Sequence, residues 1–292
     1  MTDAAALPTI RAERPQSRRM LRRFTRSMNI TIGAAVLAVM LALAVFAPLI
    51  TPYDPIAVTP SLRLRPPDAE HIFGTDDFGR DVFTRIAYGA RLSLQVGAIS
   101  VVIAATIGVT LGLLAGFYGG WVDALIMRLI DVMLAFPGIL LALVIVTVLG
   151  RSLTNVMIAV GISAIPVYAR MARGSTLALR SIDYVVAAHA IGAPTPRVIL
   201  RHILPNILAP LIVVATNGVA GAIIAGAALG FLGLGAQPPT PEWGVMLSEG
   251  RVYLRNASWV TTFPGLAIMV TVMAINLMGD GLRDILDPRL RL

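Results

Sequence analysis

The chain has 292 residues, 57% of them hydrophobic and only 14% charged, with a mean hydropathy of +0.79 and a formal charge of +8. That scarcity of charge excludes a soluble domain of this length and makes the chain an integral membrane protein. All 24 basic residues are Arg, so no lysine is present for a nucleotide phosphate or a Schiff base, and without Cys there is no disulfide, thiolate nucleophile or thiolate metal site.

Residues 1–28 read as a polar tail, with Arg18, Arg19, Arg22, Arg23 and Arg26 leading into the first apolar run. Runs long enough to cross a bilayer, about 17–25 residues each, fall at 29–50, 92–117, 132–149, 153–169, 207–234 and 261–279. The expected fold is therefore all-α, with six transmembrane helices. Ala42-Leu43-Ala44 mimics a cleavage site, but the first run is too long for the apolar core of a signal peptide and further spans follow it, so it is read as a retained helix.

The first helix and its Pro-rich sequel make up 29–73, where Pro66-Pro67 excludes helix. From Asp76 onward, Phe78, Val82 and Ile86 recur at four-residue steps with Arg80, Asp81, Thr84 and Arg85 elsewhere. This predicts a short amphipathic helix on the outer membrane surface within 74–91. It serves either as a brace for the second span or as a platform for an external protein.

The second span carries Ser100, Ala104, Gly108, Gly112 and Gly116 on one face, and the fifth repeats the pattern with Gly218, Ala222, Gly226 and Gly230. Such stripes let helix backbones approach closely, the main attraction available in lipid. No Asp, Glu, Arg or His lies inside the six runs, which disfavours a proton- or ion-coupled secondary transporter. Asp131, at the edge of the third run, is expected to pair with Arg128 one turn back. Asn217 and Asn276 stand at membrane depth, either bonded between helices or touching a solute; they are the candidates for the substrate pathway. His71, His189 and His202 have no neighbour at metal-ligand spacing, so no metal site is expected.

An even number of spans puts both termini on one side. With that side cytoplasmic, the inner segments 1–28, 118–131, 170–206 and 280–292 hold 16 Arg and the outer ones 8, as the positive-inside tendency requires. The inner segment 170–206 is the longest connection between spans. Ala187 and Ala188 would let a helix over 175–191 seat in a protein groove, and Gly192 permits a sharp turn at its end. Arg197 and Arg201 can anchor the next helix at the surface. An ordinary amphipathic connector is the alternative.

Four blocks point to one family: GTDDFGRDVFTRIAYGARLSL (74–94), DVMLAFPGILLAL (131–143), the 184–206 insert, and FLGLGAQPPTPEWGVML (231–247) with FPGLAIMVTVMAINLMGDGLRDILDPRL (263–290). Together they resemble permease subunits of the dipeptide, oligopeptide and nickel ABC importer family, and specifically the second permease of each pair. The likeness covers about 74–290, and 15–70 also resembles that family's N-terminal region. The resemblance implies the type I importer permease fold, with a transmembrane domain over 89–279, a coupling loop at 170–206 and a C-terminal tail at 280–292.

It further implies a bacterial inner-membrane subunit that takes up small peptides (dipeptides, oligopeptides or glutathione), with nickel or another small solute as the alternative. The implied partners are a second homologous permease, two ATPase subunits and an extracytoplasmic solute-binding protein, with the lipid bilayer around them and no nucleic acid. ATP and Mg would belong to the ATPases; this chain would bind no cofactor and catalyse nothing. The coupling positions carried over are Ala187, Ala188, Gly192, His202, Leu204 and Pro205, while Val186 stands where that family often has Glu and His189 where Arg is common.

Overall fold

The computed structural model describes residues 27–286. The Arg-rich stretch before residue 27 and the tail after residue 286, both used in the orientation argument, lie outside the described residues. Nine helices organise the described chain: α1 (Met28–Ile50), α2 (Val82–Tyr118), α3 (Gly120–Leu134), α4 (Gly138–Leu149), α5 (Leu153–Arg180), α6 (Asp183–Ala190), α7 (Thr195–Phe231), α8 (Trp243–Gly250) and α9 (Trp259–Leu286). An isolated bridge between Thr75 and Asp81 is the only strand-like pairing among the described residues.

Five of these helices, α1, α2, α5, α7 and α9, are long and apolar enough to cross a membrane, and α3 with α4, bent by 91°, makes a sixth if the pair counts as one broken span. The third run expected at 132–149 is thus broken. Pro137 has no N–H to continue α3 and forces Phe136 out of the helical region. At 12 residues α4 is about 18 Å long, short of the roughly 30 Å hydrocarbon core.

The helix expected from Asp76 starts instead at Val82 and runs without a break through the second span for 37 residues. Gly79, at φ +73° against the Thr59 backbone, turns the chain before it. Asp81 then caps the helix, its carboxylate accepting from the Thr84 amide and hydroxyl, both at 2.7 Å. Phe78 is left outside the helix and exposed.

Charges of the same motif point inward. Arg80 Nε donates to Asp76 at 2.6 Å, Arg85 Nη2 donates to Glu249 at 2.9 Å, and Arg80 also reaches Glu249 at 3.3 Å. Both Arg side chains are almost wholly buried. Burial pushes the Glu249 carboxyl up from its ordinary value, against the pull of Arg85 and Arg80. The cluster ties 76–85 to the end of α8, more than 160 residues away. Around it, Phe73 stacks on Phe263 at 4.0 Å, and the indole N–H groups of Trp243 and Trp259 donate to Ile86 and Thr75 carbonyls, both at 3.1 Å. The motif is a brace.

The stripe on α2 packs on α5. A side chain at Gly108 would stand 2.7 Å from the Ile165 carbonyl, and one at Gly116 would stand 2.8 Å from Thr176 Cβ. Ser100 donates to the Met157 carbonyl at 2.9 Å in the same seam. The α7 stripe is divided: Gly218 faces Tyr168, Gly226 faces Val96, and Gly230 faces the Glu242 carboxyl that caps α8. Asp131 does not pair with Arg128. It bonds Arg170 of α5 at 2.7 Å, because the bend after α3 brings its last turns alongside α5.

Removing one member of a buried ion pair strands the other charge, at a cost of about 3–5 kcal/mol. Arg85→Met and Glu249→Met are each expected to lower thermal stability in detergent sharply. The double variant should lose less than either single, as thermal unfolding of all three proteins would show; additive losses would contradict the pairing.

Candidate functional site

At the end of the bundle away from the ionic cluster, α5 runs eleven residues beyond the expected span, to Arg180. Its Arg173 forks onto Asp123 of α3 with both bonds at 2.5 Å, and Arg180 donates to the Gly116 carbonyl at the end of α2 at 3.1 Å. These bonds satisfy a carbonyl that the helix terminus leaves free and fix where the chain leaves the bundle.

The eight-residue α6 follows. Its end is a Schellman turn: Gly192 at φ +83° donates to the His189 carbonyl at 3.0 Å, and Ala193 donates to the Ala188 carbonyl at 3.1 Å. A second device returns the chain. Pro205 offers no N–H to the Arg201 carbonyl and crowds it, so the start of α7 widens into a π turn over Ile199–Ile203. The His202 carbonyl there accepts from the Asn206 side-chain amide at 2.6 Å, and Asn206 also donates to the Tyr184 hydroxyl at 3.2 Å. Tyr184, His202 and Asn206 thereby clasp α6 to α7.

The six candidate positions on this insert do not share one face. Ala187 and Pro205 are exposed, Gly192 forms the exposed tip, and His202 and Leu204 are half-buried. Ala188 is buried in the chain's own core with Val185 and Val198. Ala187 and Ala188 therefore cannot seat together in a partner's groove, since neighbours on a helix point about 100° apart. The free face carries Val186, Ala187, Ala190 and Ile191, with Ile191 86% exposed. Tyr184, Asn206 and Ile191 were not among the positions expected from the sequence. The alternation of buried Val185 and Ala188 with exposed neighbours was the available signal, but it needs to be known which side of α6 meets the bundle.

Of the two membrane-depth amides, Asn217 lines a groove of about 430 Å³ among α2, α4, α5 and α7, and its Oδ1 lies over Gly279 of α9. Asn276 is exposed on α9 and lies outside that groove. Neither amide makes a hydrogen bond among the described residues, so the interhelical bond weighed from the sequence is not formed within them. On the opposite end of the bundle His71 Nδ1 meets Asp81 at 2.9 Å, a carboxylate contact that sequence spacing did not suggest. Glu242 is buried without a cation partner among the described residues. Burial pushes its carboxyl up, against the amides of Gly244 and Val245 and the Ser93 hydroxyl that bond it.

Residues 108–292 match the model for the binding-protein-dependent transport system inner membrane component, and residues 16–67 match the N-terminal TM domain of oligopeptide transport permease C. The chain is 51% identical over 260 residues to the dipeptide transport system permease protein DppC of Alkalihalophilus pseudofirmus, covering 89% of this chain and 86% of that one. It is 49% identical over 271 residues to the glutathione transport system permease protein GsiD of Escherichia coli O157:H7, covering 92% and 89%. It also resembles a putative peptide transport system permease protein of Brucella abortus, at 48% identity over 271 residues, with 93% and 91% covered. Its fold matches a chain of the inward-facing MetNI methionine ABC transporter with a TM-score of 0.56 at 20% identity, over 69% of this chain and 96% of that one.

The turn at Gly192 has open space for a side chain but the wrong backbone region for one. Gly192→Ala is expected to cost about 1 kcal/mol through left-handed strain. Amide exchange at Ala193 should then rise roughly fivefold, while Gly192→Asn should change it less. Unchanged exchange in the Ala variant would show that the turn is not held as described.

Proposed function

We propose, on the premise that this chain belongs to the binding-protein-dependent transport system inner membrane component family and is an ABC importer permease, that it forms half of a pathway for short peptides. The cargo reading rests on the dipeptide, glutathione and peptide systems named for its relatives at about half identity. The second half of the pathway comes from a homologous permease, two ATPase subunits lie below, and a solute-binding protein delivers cargo from outside. ATP and Mg stay with the ATPases. Both termini face the cytoplasm, the orientation that puts 16 of the 24 Arg inside.

The observation that carries the mechanism is the free apolar face of α6. Val186, Ala187 and Ile191 are exposed on a helix that is capped, clasped to α7 and rooted by Arg173 and Arg180 in the α2–α3 end of the bundle. This is where the ATPase docks. When ATP draws the ATPases together, α6 moves with its subunit, and the paired permeases rock from inward-facing to outward-facing. Nucleotide shifts that equilibrium because only one state lets both α6 faces follow the closed ATPases. Leu204 and Pro205 shape the return into α7, and His202 supplies a carbonyl to the clasp. Ala188 supports the helix from within. Its role is packing.

Ile191→Asp and Gly192→Trp should leave the subunit in the membrane at near-normal amounts while abolishing uptake and solute-stimulated ATP hydrolysis. A docking loss of about 1–3 kcal/mol, roughly 5- to 150-fold in affinity, suffices. Ala188→Arg should instead lower the amount of folded subunit. Immunoblots with uptake and hydrolysis assays separate the cases, and normal stimulated hydrolysis in Ile191→Asp would reduce α6 to a passive connector.

Orientation has its own check. In this Cys-free chain, Ser61→Cys should react with an impermeant maleimide in intact cells, whereas Ser181→Cys should react only after the membrane is opened. Labelling of position 181 from outside would overturn the assignment.

A further inference from the structure

Between α7, α8 and α9, at the end of the bundle that carries the ionic cluster, lies a groove of about 420 Å³. Its walls include Ile224, Ala228 and Phe231 of α7, Leu247 of α8 and Ile268 of α9, and every side chain lining it is apolar. One cation stands at its rim. Arg251 follows Leu247 by four residues, which keeps it on the same face as α8 passes into a 3₁₀ turn. Its guanidinium lies over the Phe231 ring, 5.8 Å from the centroid. Two walls of the groove thus place this one side chain.

Arg251 is exposed and forms no ion pair among the described residues; Glu249, two positions before it, is taken by Arg80 and Arg85. An aromatic ring covers one face of a guanidinium and leaves the N–H groups at its edge free. Those donors match a carboxylate, which accepts two parallel bonds. The setting suits a solute better than a lipid. A side chain at Gly244 would collide with the Ala227 backbone, so α8 starts beside a residue four positions, about 6 Å, inside the end of α7. Residues 232–242, which join the two, carry no helix. Such backbone is tolerated at membrane depth only against protein or a water-filled cavity.

Resting on the peptide reading and the orientation above, we propose that this groove is an entry subsite at the outer mouth of the pathway, where Arg251 takes the C-terminal carboxylate of an incoming peptide and the apolar walls take its last side chain. An apolar wall with a single cation at its rim is complementary to that end of a peptide, which joins a carboxylate to a side chain. An exposed ion pair is weak. That suits conduction, which requires a site favourable enough to enter and weak enough to leave.

The test uses the complete importer, with both permeases, ATPases and binding protein, reconstituted in vesicles and supplied with alanyl-alanyl-phenylalanine. Arg251→Gln should lower uptake per ATP hydrolysed several-fold, with subunit stoichiometry and the hydrolysis stimulated by loaded binding protein unchanged. Arg251→Lys, which keeps the charge, should lose less. As an independent readout, Ala228→Cys on the groove wall should react with an impermeant maleimide added on the binding-protein side. That reaction should slow during turnover with the peptide, and the slowing should vanish when Arg251→Gln is added. Full uptake per ATP in Arg251→Gln, or labelling indifferent to peptide, would overturn the subsite while leaving peptide transport intact. So would an Ala228→Cys that never reacts, which would put lipid or the second permease in the groove. Loss of stimulated hydrolysis in Arg251→Gln would assign Arg251 to the binding protein instead. Failure of the unaltered complex to take up this tripeptide, glutathione or any dipeptide would sink the cargo reading itself, and the subsite with it.

Discussion

The close approach of α2 and α5 is the constraint on which the rest depends. Along Gly108, Gly112 and Gly116 the α2 backbone lies against the backbone and first side-chain atoms of Ile165, Ala169, Ala172 and Thr176, with no long side chain between. In lipid, apolar side chains gain nothing by leaving one apolar solvent for another, so association rests on this density of contact and on bonds such as Ser100 to Met157. Each end of the pair then carries a polar assembly. At one end the first turn of α2 enters the Asp76–Arg80–Arg85–Glu249 cluster; at the other its last carbonyls receive Arg180.

The ionic cluster adds definition more than net stability. Two buried cations and two carboxylates balance in charge, yet each had to leave water, a penalty that its bonds only partly offset. In return, residues 55–85 and the end of α8 are held in one register, with Arg85 also reaching the Pro55 and Pro239 carbonyls, both at 3.3 Å. Asp77 stands at the margin of the cluster. Burial, and then its neighbour Asp76, push its carboxyl up, and Tyr253 gives it a distant bond at 3.5 Å.

Features that depend on local composition were legible in the sequence. Runs without charge became spans, and four-residue glycine spacing became a packing face. Features that depend on partners far along the chain were not. Phe78, Val82 and Ile86 match a helical period, but Arg80 is drawn inward by Asp76 and Glu249, and Gly79 turns the chain, so the helix starts six residues later than that period suggests. Asp131 chose Arg170 over its neighbour on the same helix once Pro137 had bent α3 and α4 apart. At the insert, Gly192 was readable as a turn because only its backbone matters there. The burial of Ala188 against the bundle was not readable, because small residues look alike until their neighbours are known.

In the proposed mechanism these links let the subunit act as a lever. Force applied by an ATPase to the exposed face of α6 would then pass through the clasp to α7 and through Arg180 and Arg173 to α2 and α3. The most direct measurement places spin labels on cysteines at Ala69 and Ala178, at opposite ends of this subunit in the assembled importer, and reads their separation with and without ATP. The account predicts one unchanged intrachain distance, while a label at Ala178 moves relative to its counterpart in the second permease. An intrachain distance that shifts with nucleotide while the permeases keep their spacing would contradict it.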